Sequence, residues 1–366
     1  MKFSTDGIPP NGLILRGKLR TVLSHMENSG QTSSPVTGQA DFQRIVDPLK
    51  PAFAALEKYL FAEVESFEPE VRPLVEYCFG HSGKKLRPIL VFSMGLNPGE
   101  ALDPAIIRAA AIVELVHLAT LVHDDILDEA DMRHRTETLV SKYGPHVAVL
   151  LGDALFAHAL HLAAQYPGVE VCRSVSLATR QVCSGEIAQT FARGADIPDT
   201  AAYYRMIDLK TAELFTVSAY LGGFLSGFDE SQLEAARAFA RHLGIAYQIY
   251  DDAADIFAEE SVAGKTLGTD LATGKFTLPI LLWLDSQGKE NRDDLVARLK
   301  SADNGGIDVR AELTKADMLT RTGEAFYREI QSSHDAIQAI PGQERQAHLS
   351  LLADFVEQAW NKFNIR

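Results

Sequence analysis

An all-α fold is what this sequence predicts, on three observations. From Asp41 onward apolar residues recur at spacings of three and four, the period of one helix face. Alanine and leucine are abundant, and no stretch shows the β-branched alternation of a half-buried strand. The pattern breaks only at short turn clusters: Leu96-Asn97-Pro98-Gly99, Tyr166-Pro167-Gly168, Gly194-Ala195-Asp196-Ile197-Pro198, Ser286-Gln287-Gly288 and Asn304-Gly305-Gly306.

Taken in order, residues 1–40 differ from the rest. They hold Pro9-Pro10 and the polar run Asn28 to Pro35, a composition that buries too little surface to order itself, so a disordered extension is expected there. Within it, Gly12 to Leu23 carries Arg16, Lys18 and Arg20 among leucines. Residues 41–366 contain no internal repeat and no linker, and are expected to form one all-α domain. Asp103 followed by Pro104 reads as an N-cap with proline at the first helical position, opening a helix to about Asp131. Ser231 with Glu234 fits a capping box for the helix that follows.

The 366 residues are 46% hydrophobic and 23% charged, which is globular composition. The 49 acids against 35 bases give a net charge of −14, a poor match to a nucleic-acid backbone. Cys78, Cys172 and Cys183 show no metal-ligand spacing and read as free thiols in a reducing compartment. The richest apolar stretch, Ala109 to Val122, is interrupted by Glu114 and His117, so no transmembrane segment is expected. The N-terminus lacks a signal-peptide apolar region, and a cytoplasmic location follows as an expectation.

The chemistry concentrates on two helices. Near the end of the first stand His117, Thr120, His123, Asp124, Asp125 and Asp128. At about 100° per residue, Asp124 and Asp128 lie about 40° apart on one face of an otherwise apolar helix. The second helix repeats the pattern with Gln248, Asp251, Asp252 and Asp255 among Ile245, Ile249, Ile256 and Phe257. Carboxylates do not sit on apolar helices without partners. Hard oxygen donors clustered this way suit Mg²⁺ completed by substrate phosphates, and two such stripes read as jaws on a polyphosphate. Cations accompany them: Gly83-Lys84-Lys85-Leu86-Arg87-Pro88, Arg133-His134-Arg135, Lys210-Thr211, Gly264-Lys265 and Gly274-Lys275.

These residues resemble the trans-isoprenyl diphosphate (polyprenyl) synthases over residues 45–366. The resemblance rests on Gly83-Lys84 with Arg87-Pro88, Glu114 and His117, the run His123 to Asp128, Gly152-Asp153 and Gly185-Glu186 with Gln189. It continues through Lys210-Thr211-Ala212, Gln248 with Asp251-Asp252 and Asp255, Gly264-Lys265, Asp270 and Lys275 to Pro279. It implies an isoprenoid-synthase-type bundle of antiparallel helices around a deep central cavity, and a homodimer. It implies that an allylic diphosphate ionises with the help of three Mg²⁺ and is attacked by isopentenyl diphosphate, after which a proton is lost. Carried over, Asp124 and Asp128 ligate two ions and Asp251 the third, supported by Asp125, Asp252 and Asp255. Arg133, Lys210 and Lys265 hold the allylic diphosphate, and Lys275 joins the substrate-binding set. Lys84, Arg87 and His117 hold isopentenyl diphosphate, and the catalytic residues are Lys210, Thr211 and Gln248, of which Thr211 and Gln248 face the developing cation. The family's Arg-Arg-Gly is here Arg133-His134-Arg135, which puts His134 where a second arginine touches isopentenyl diphosphate.

In this family, aromatic residues four and five positions before the first aspartate stop the product at fifteen carbons. Here those positions are Thr120 and Ala119, and the next candidate floor is Phe156, or His158 and His161, so a product of twenty carbons or more is expected. Two other readings share some features. A class I terpene cyclase usually lacks the second aspartate motif and the Gly-Lys-x-x-Arg site, both present here. A non-catalytic partner subunit of a heteromeric synthase tends to lose its metal aspartates, and all six are present here.

Overall fold

A computed structural model describes residues 42–80, 83–96, 102–133, 136–194, 199–258 and 268–363. The extension 1–40 therefore lies outside the described residues, as do His134, Arg135 and Lys265. Helices dominate. They are α1 (Lys50–Val64), α2 (Arg72–Phe79), α3 (Leu86–Gly95), α4 (Pro104–Leu127), α5 (Leu139–Tyr143), α6 (Pro145–Ala163) and α7 (Glu170–Gly194). There follow α8 (Thr200–Ile207), α9 (Glu213–Leu225), α10 (Glu230–Phe257), α11 (Thr269–Ala272) and α12 (Leu278–Asp285). The chain closes with α13 (Lys289–Leu299), α14 (Val309–Lys315), α15 (Met318–Ile337) and α16 (Gln343–Asn361).

The core forms around α4 and α10. α4 packs against α1, α3, α6 and α9, and α10 against α9, α15 and α16. Small residues line this packing: Ala109, Ala110 and Ala111 of α4 and Ala148 and Ala159 of α6 are fully buried. Helix axes approach as closely as the side chains between them allow. Gly152 of α6 is the tightest point, because a Cβ there would collide with the ring of His123 on α4. Among the described residues, two helices, α4 and α6, are long and apolar enough by composition to cross a membrane. α4 spends that apolarity on the core, whereas much of α6 faces outward.

Three local features depart from the sequence reading. The Asp103 cap is present, its side chain accepting the Ala105 N–H at 2.7 Å, but α4 stops at Leu127 rather than running to Asp131. Ala130 N–H bonds to Asp125 O at 3.0 Å and Glu129 N–H to Ile126 O at 3.3 Å, with Glu129 left-handed at φ 49°. This pairing of bonds ends a helix and ordinarily uses glycine at the left-handed position. With glutamate there instead, nothing in the sequence marked the stop. The released chain forms a short hairpin, β1 (Met132–Arg133) antiparallel to β2 (Thr136–Glu137).

The capping box of α10 also lies earlier than expected. Asp229, not Ser231, accepts the Gln232 N–H at 2.9 Å, and the Gln232 side chain accepts the Asp229 N–H at 3.0 Å. Asp229-Glu-Ser-Gln satisfies the capping rule as well as Ser231 and Glu234 do, and the left-handed Gly227 (φ 78°) starts the helix in the earlier frame. Lastly, Asp208–Ala212 forms one π-helical turn between α8 and α9, carrying Lys210 and Thr211. Such turns recur at functional sites.

Candidate active site

Two carboxylate clusters occupy the C-terminal ends of α4 and α10, and the segment after α10 ties one to the other. Asp255 Oδ2 accepts the Asp270 N–H at 3.2 Å, and Asp270 O accepts the Lys275 N–H at 2.8 Å. Lys275 Nζ then donates to Asp128 Oδ2 at 2.9 Å. A continuous chain of polar contacts thus joins the two stripes, 127 positions apart between Asp124 and Asp251.

The α4 cluster is paired with cations. Lys210 Nζ lies 3.8 Å from Asp124, forms an ion pair with Glu186 and donates to Gln189 Oε1 at 2.8 Å. Burial, only partly opposed by Lys210, pushes the Asp124 carboxyl up to about 6, and Glu186 and Asp128 add to it. Burial alone would lower Lys210, but Asp124 and Glu186 outweigh it and hold the ammonium above its usual range. Asp125 is buried and accepts the Arg133 Nε–H at 2.8 Å. Asp128 accepts from two cations, Arg193 Nη2 at 2.7 Å and Lys275 Nζ. Burial would raise its carboxyl, but Lys275 and Arg193 hold it below the usual range.

In the α10 cluster, Asp252 is held by neutral donors instead. Asp252 is buried and accepts Tyr203 O–H at 2.6 Å on one oxygen and Gln248 Nε2–H at 2.8 Å on the other. Burial, reinforced by Asp270 and opposed by these two donors, pushes Asp252 up to about 8. Gln248 in turn accepts the Thr211 O–H at 2.7 Å. Asp255 is buried as well, and Asp251 is the partly exposed member of this set.

Two glycines let the π turn sit between these clusters. A Cβ on Gly185 of α7 would stand 2.7 Å from Lys210 N, and one on Gly244 of α10 would stand 2.8 Å from Ala212 Cα. The helices that carry Glu186 and Gln248 can therefore touch the backbone that presents Lys210 and Thr211.

A second polar group gathers where α3 meets α4. Arg87 Nη1 lies 3.0 Å from His117 Nε2. A guanidinium can only donate, so Nε2 accepts and the ring proton sits on Nδ1. Burial and the Arg87 charge hold His117 well below the usual histidine range. Lys85, left-handed at φ 53°, pairs with buried Glu114 at 3.1 Å, and Lys84 lies over the Phe355 ring at 5.3 Å. Nearby, Ala119 is fully buried and Thr120 Oγ1 donates to His117 O at 2.7 Å. Phe156 of α6 meets the His123 ring edge-on at 5.6 Å. His158 pairs instead with Glu63 of α1 at 3.0 Å and lies against Phe67 at 4.6 Å.

Arg193 and Tyr203 enter the site without having been singled out in the sequence, and Glu186 was seen only as part of a motif. Tyr203 stands seven residues, about two turns, before Lys210, a spacing that places both on one face. Arg193 carries no signal, since a lone arginine near the end of a polar helix is ordinarily a solvated side chain.

The carboxylates fit a divalent cation. Asp124, Asp128 and Asp251 offer only oxygen donors and are all partly exposed, and Asp124 is held up to about 6 amid like charges that a cation would relieve.

Comparison with known proteins shows the family. Residues 68–315 match the family described as polyprenyl synthetase. The octaprenyl diphosphate synthase of Haemophilus influenzae is 31% identical over 323 residues, covering 85% of this chain and 94% of the relative. The nonaprenyl diphosphate synthase of Mycobacterium tuberculosis is 32% identical, covering 82% of this chain and 87% of the relative. Among solved structures, a polyprenyl synthase from Caulobacter crescentus, complexed with calcium and isoprenyl diphosphate, superposes with a TM-score of 0.78. It is 28% identical and covers 86% of this chain and 97% of its own. The chain belongs to the polyprenyl synthetase family, as a trans-polyprenyl diphosphate synthase.

Proposed function

We propose that the protein joins isopentenyl diphosphate to an allylic diphosphate in trans, repeatedly, to give a polyprenyl diphosphate of twenty carbons or more. The observation that carries this is the Lys275–Asp128 contact, which with the main-chain bond of Lys275 to Asp270 and of Asp270 to Asp255 links the two carboxylate helix ends. Asp124, Asp128 and Asp251 would hold Mg²⁺, three ions in all, with Asp125, Asp252 and Asp255 fixing the helix ends that present them. The bound ions supply Lewis-acid charge to the leaving diphosphate. The complex of the Caulobacter relative with calcium and isoprenyl diphosphate supports this pairing of divalent cation and ligand.

Arg133, Lys210, Lys265 and Lys275 neutralise the allylic diphosphate and hold it as the C–O bond breaks. Thr211 and Gln248, already hydrogen-bonded to each other, present fixed oxygen dipoles to the allylic cation, which lowers the barrier without reorganisation. Lys84, Arg87 and His117 hold the diphosphate of isopentenyl diphosphate, and His134 takes the role of the family's second arginine toward the same group. Its C4 atom attacks the cation, and the departing diphosphate accepts the C2 proton. Ala119 and Thr120 leave room for the growing chain where an aromatic ring would block it, and Phe156 stands further along. The octaprenyl and nonaprenyl synthases among the relatives support a long product.

A second copy of the chain would cover the outward face of α6 and α7. Leu150 is 69% and Phe191 73% exposed, and Val149, Leu177 and Ile187 are exposed beside them. An apolar face of this kind marks an interaction surface. Sedimentation should show a homodimer, and Phe191→Glu should shift it to monomer. The three cysteines are free, which supports a reducing, cytoplasmic setting.

The decisive assay uses purified protein alone, Mg²⁺, an allylic primer and radiolabelled isopentenyl diphosphate, with product chromatography. A main product of twenty carbons or more is expected. A fifteen-carbon product would overturn the chain-length reading, turnover only with an added subunit would show a partner role, and a cyclised hydrocarbon would show a terpene cyclase.

A further inference from the structure

Asp128, one of the carboxylates proposed to bind metal, accepts from two cations, and these come from two separate elements. Arg193 Nη2 donates to Oδ1 at 2.7 Å and Lys275 Nζ to Oδ2 at 2.9 Å, so each oxygen meets a different cation. Arg193 also donates from Nη1 to Leu127 O at 3.0 Å, at the last turn of α4, while its Nε is buried without a partner. The backbone brings these cations together: Gly274, left-handed at φ 77°, places its α-carbon beside the Arg193 main chain. A carboxylate whose oxygens both accept charge-assisted bonds is poorly available to a metal ion. A diphosphate, by contrast, offers the two cations several oxygens and more negative charge than one carboxylate does.

We propose that Arg193, with Lys275, clamps Asp128 in the substrate-free enzyme and passes from Asp128 to the diphosphate when substrate enters, so that metal and diphosphate are taken up together. This rests on the reading of Asp128 as a metal ligand. Arg193 is here a positioning residue: its first action is on Asp128, and it withholds or releases that carboxylate. No bond is made or broken in the step; two hydrogen-bonded cations exchange one anion for another.

Mn²⁺ titration of the purified, substrate-free enzyme, followed by the electron paramagnetic resonance signal of free Mn²⁺, tests the clamp. Wild type should bind Mn²⁺ weakly alone and more tightly with inorganic pyrophosphate present. Arg193→Leu should bind Mn²⁺ alone about tenfold more tightly, the scale of one lost charge-assisted bond, and should gain less from pyrophosphate. Arg193→Lys, which keeps a cation, should stay near wild type. Unchanged Mn²⁺ affinity in Arg193→Leu, with only a lower melting temperature, would make Arg193 a structural tie to Leu127 and overturn the clamp. Asp128→Asn separates the two readings. If it leaves Mn²⁺ binding intact, the metal-ligand assignment itself falls and takes the clamp with it. If it weakens binding while Arg193→Leu does nothing, the clamp alone is wrong.

Discussion

The two aspartate-bearing helix ends look alike in sequence and are built differently. At the end of α4, Asp124, Asp125 and Asp128 face Lys210, Arg133, Arg193 and Lys275, charged side chains that can exchange one anion for another. At the end of α10, Asp252 is held by Tyr203 and Gln248, and Asp255 accepts a main-chain N–H. Ion pairs at a partly exposed helix end are cheap to rearrange, whereas hydrogen bonds to a buried carboxylate are expensive to lose. Labour is therefore divided: the ion pairs at the end of α4 can be exchanged, while the buried hydrogen bonds of Asp252 anchor the end of α10.

Asp124→Asn removes a carboxylate from the end of α4, and kcat/KM should fall by about 10³-fold or more, a loss of several kcal/mol of charge stabilisation, while the melting temperature holds or rises. Assay of isopentenyl incorporation beside thermal denaturation reads both. If Asp124→Asn instead unfolds the protein, α4 is as structural as α10 and the contrast disappears.

Tyr203→Phe probes the end of α10. It strips one donor from buried Asp252, and should cost about 1–3 kcal/mol of stability, with turnover reduced about tenfold as Asp252, the acceptor for Gln248, loses one of its two anchors. Urea unfolding at constant pH measures the first quantity. A variant as stable as wild type would show that the hydrogen bond to Asp252 contributes little.

Acid should find the junction of α3 and α4. His117 titrates below its usual 6.5 in the folded state because of burial and Arg87, so the unfolded chain binds the proton first. Stability from this group is full above pH 6.5 and is lost as pH falls through that value toward the lower folded one. His117→Gln should flatten this slope in unfolding free energy between pH 7 and pH 5, at about one kcal/mol per pH unit. An unchanged slope would place the acid sensitivity elsewhere.

The smallest expected effect on rate comes from Ala119→Phe, which leaves both jaws intact. The main product should shorten, with turnover altered least of these variants and a packing cost of about 1–3 kcal/mol at a fully buried position. Chromatography of the products decides it, and an unchanged length would move the floor toward Phe156.

Much of this was legible in the chain. The three- and four-residue spacing of apolar residues determined the helices, because a helix face must find a core whatever its partners are. Carboxylates at fixed spacing on such faces located both jaws, since burying unpaired charge is costly. Asp103-Pro104 marked the start of α4. Its end was hidden, because Glu129 takes a left-handed conformation that local pattern assigns to glycine. The start of α10 was misplaced by two residues because two overlapping capping frames were chemically equivalent.

What only the tertiary structure decided is who pairs with whom. Tyr203 with Asp252, Arg193 with Asp128 and Lys275 with Asp128 join residues 49, 65 and 147 positions apart. The π turn at Lys210 is set by the close approach of Gly185 and Gly244. Helix periodicity is a local property of a few turns, and the sequence carries it directly. The choice between a cationic and a neutral partner for each carboxylate depends on which distant helix packs beside it, and that is settled only when the core closes.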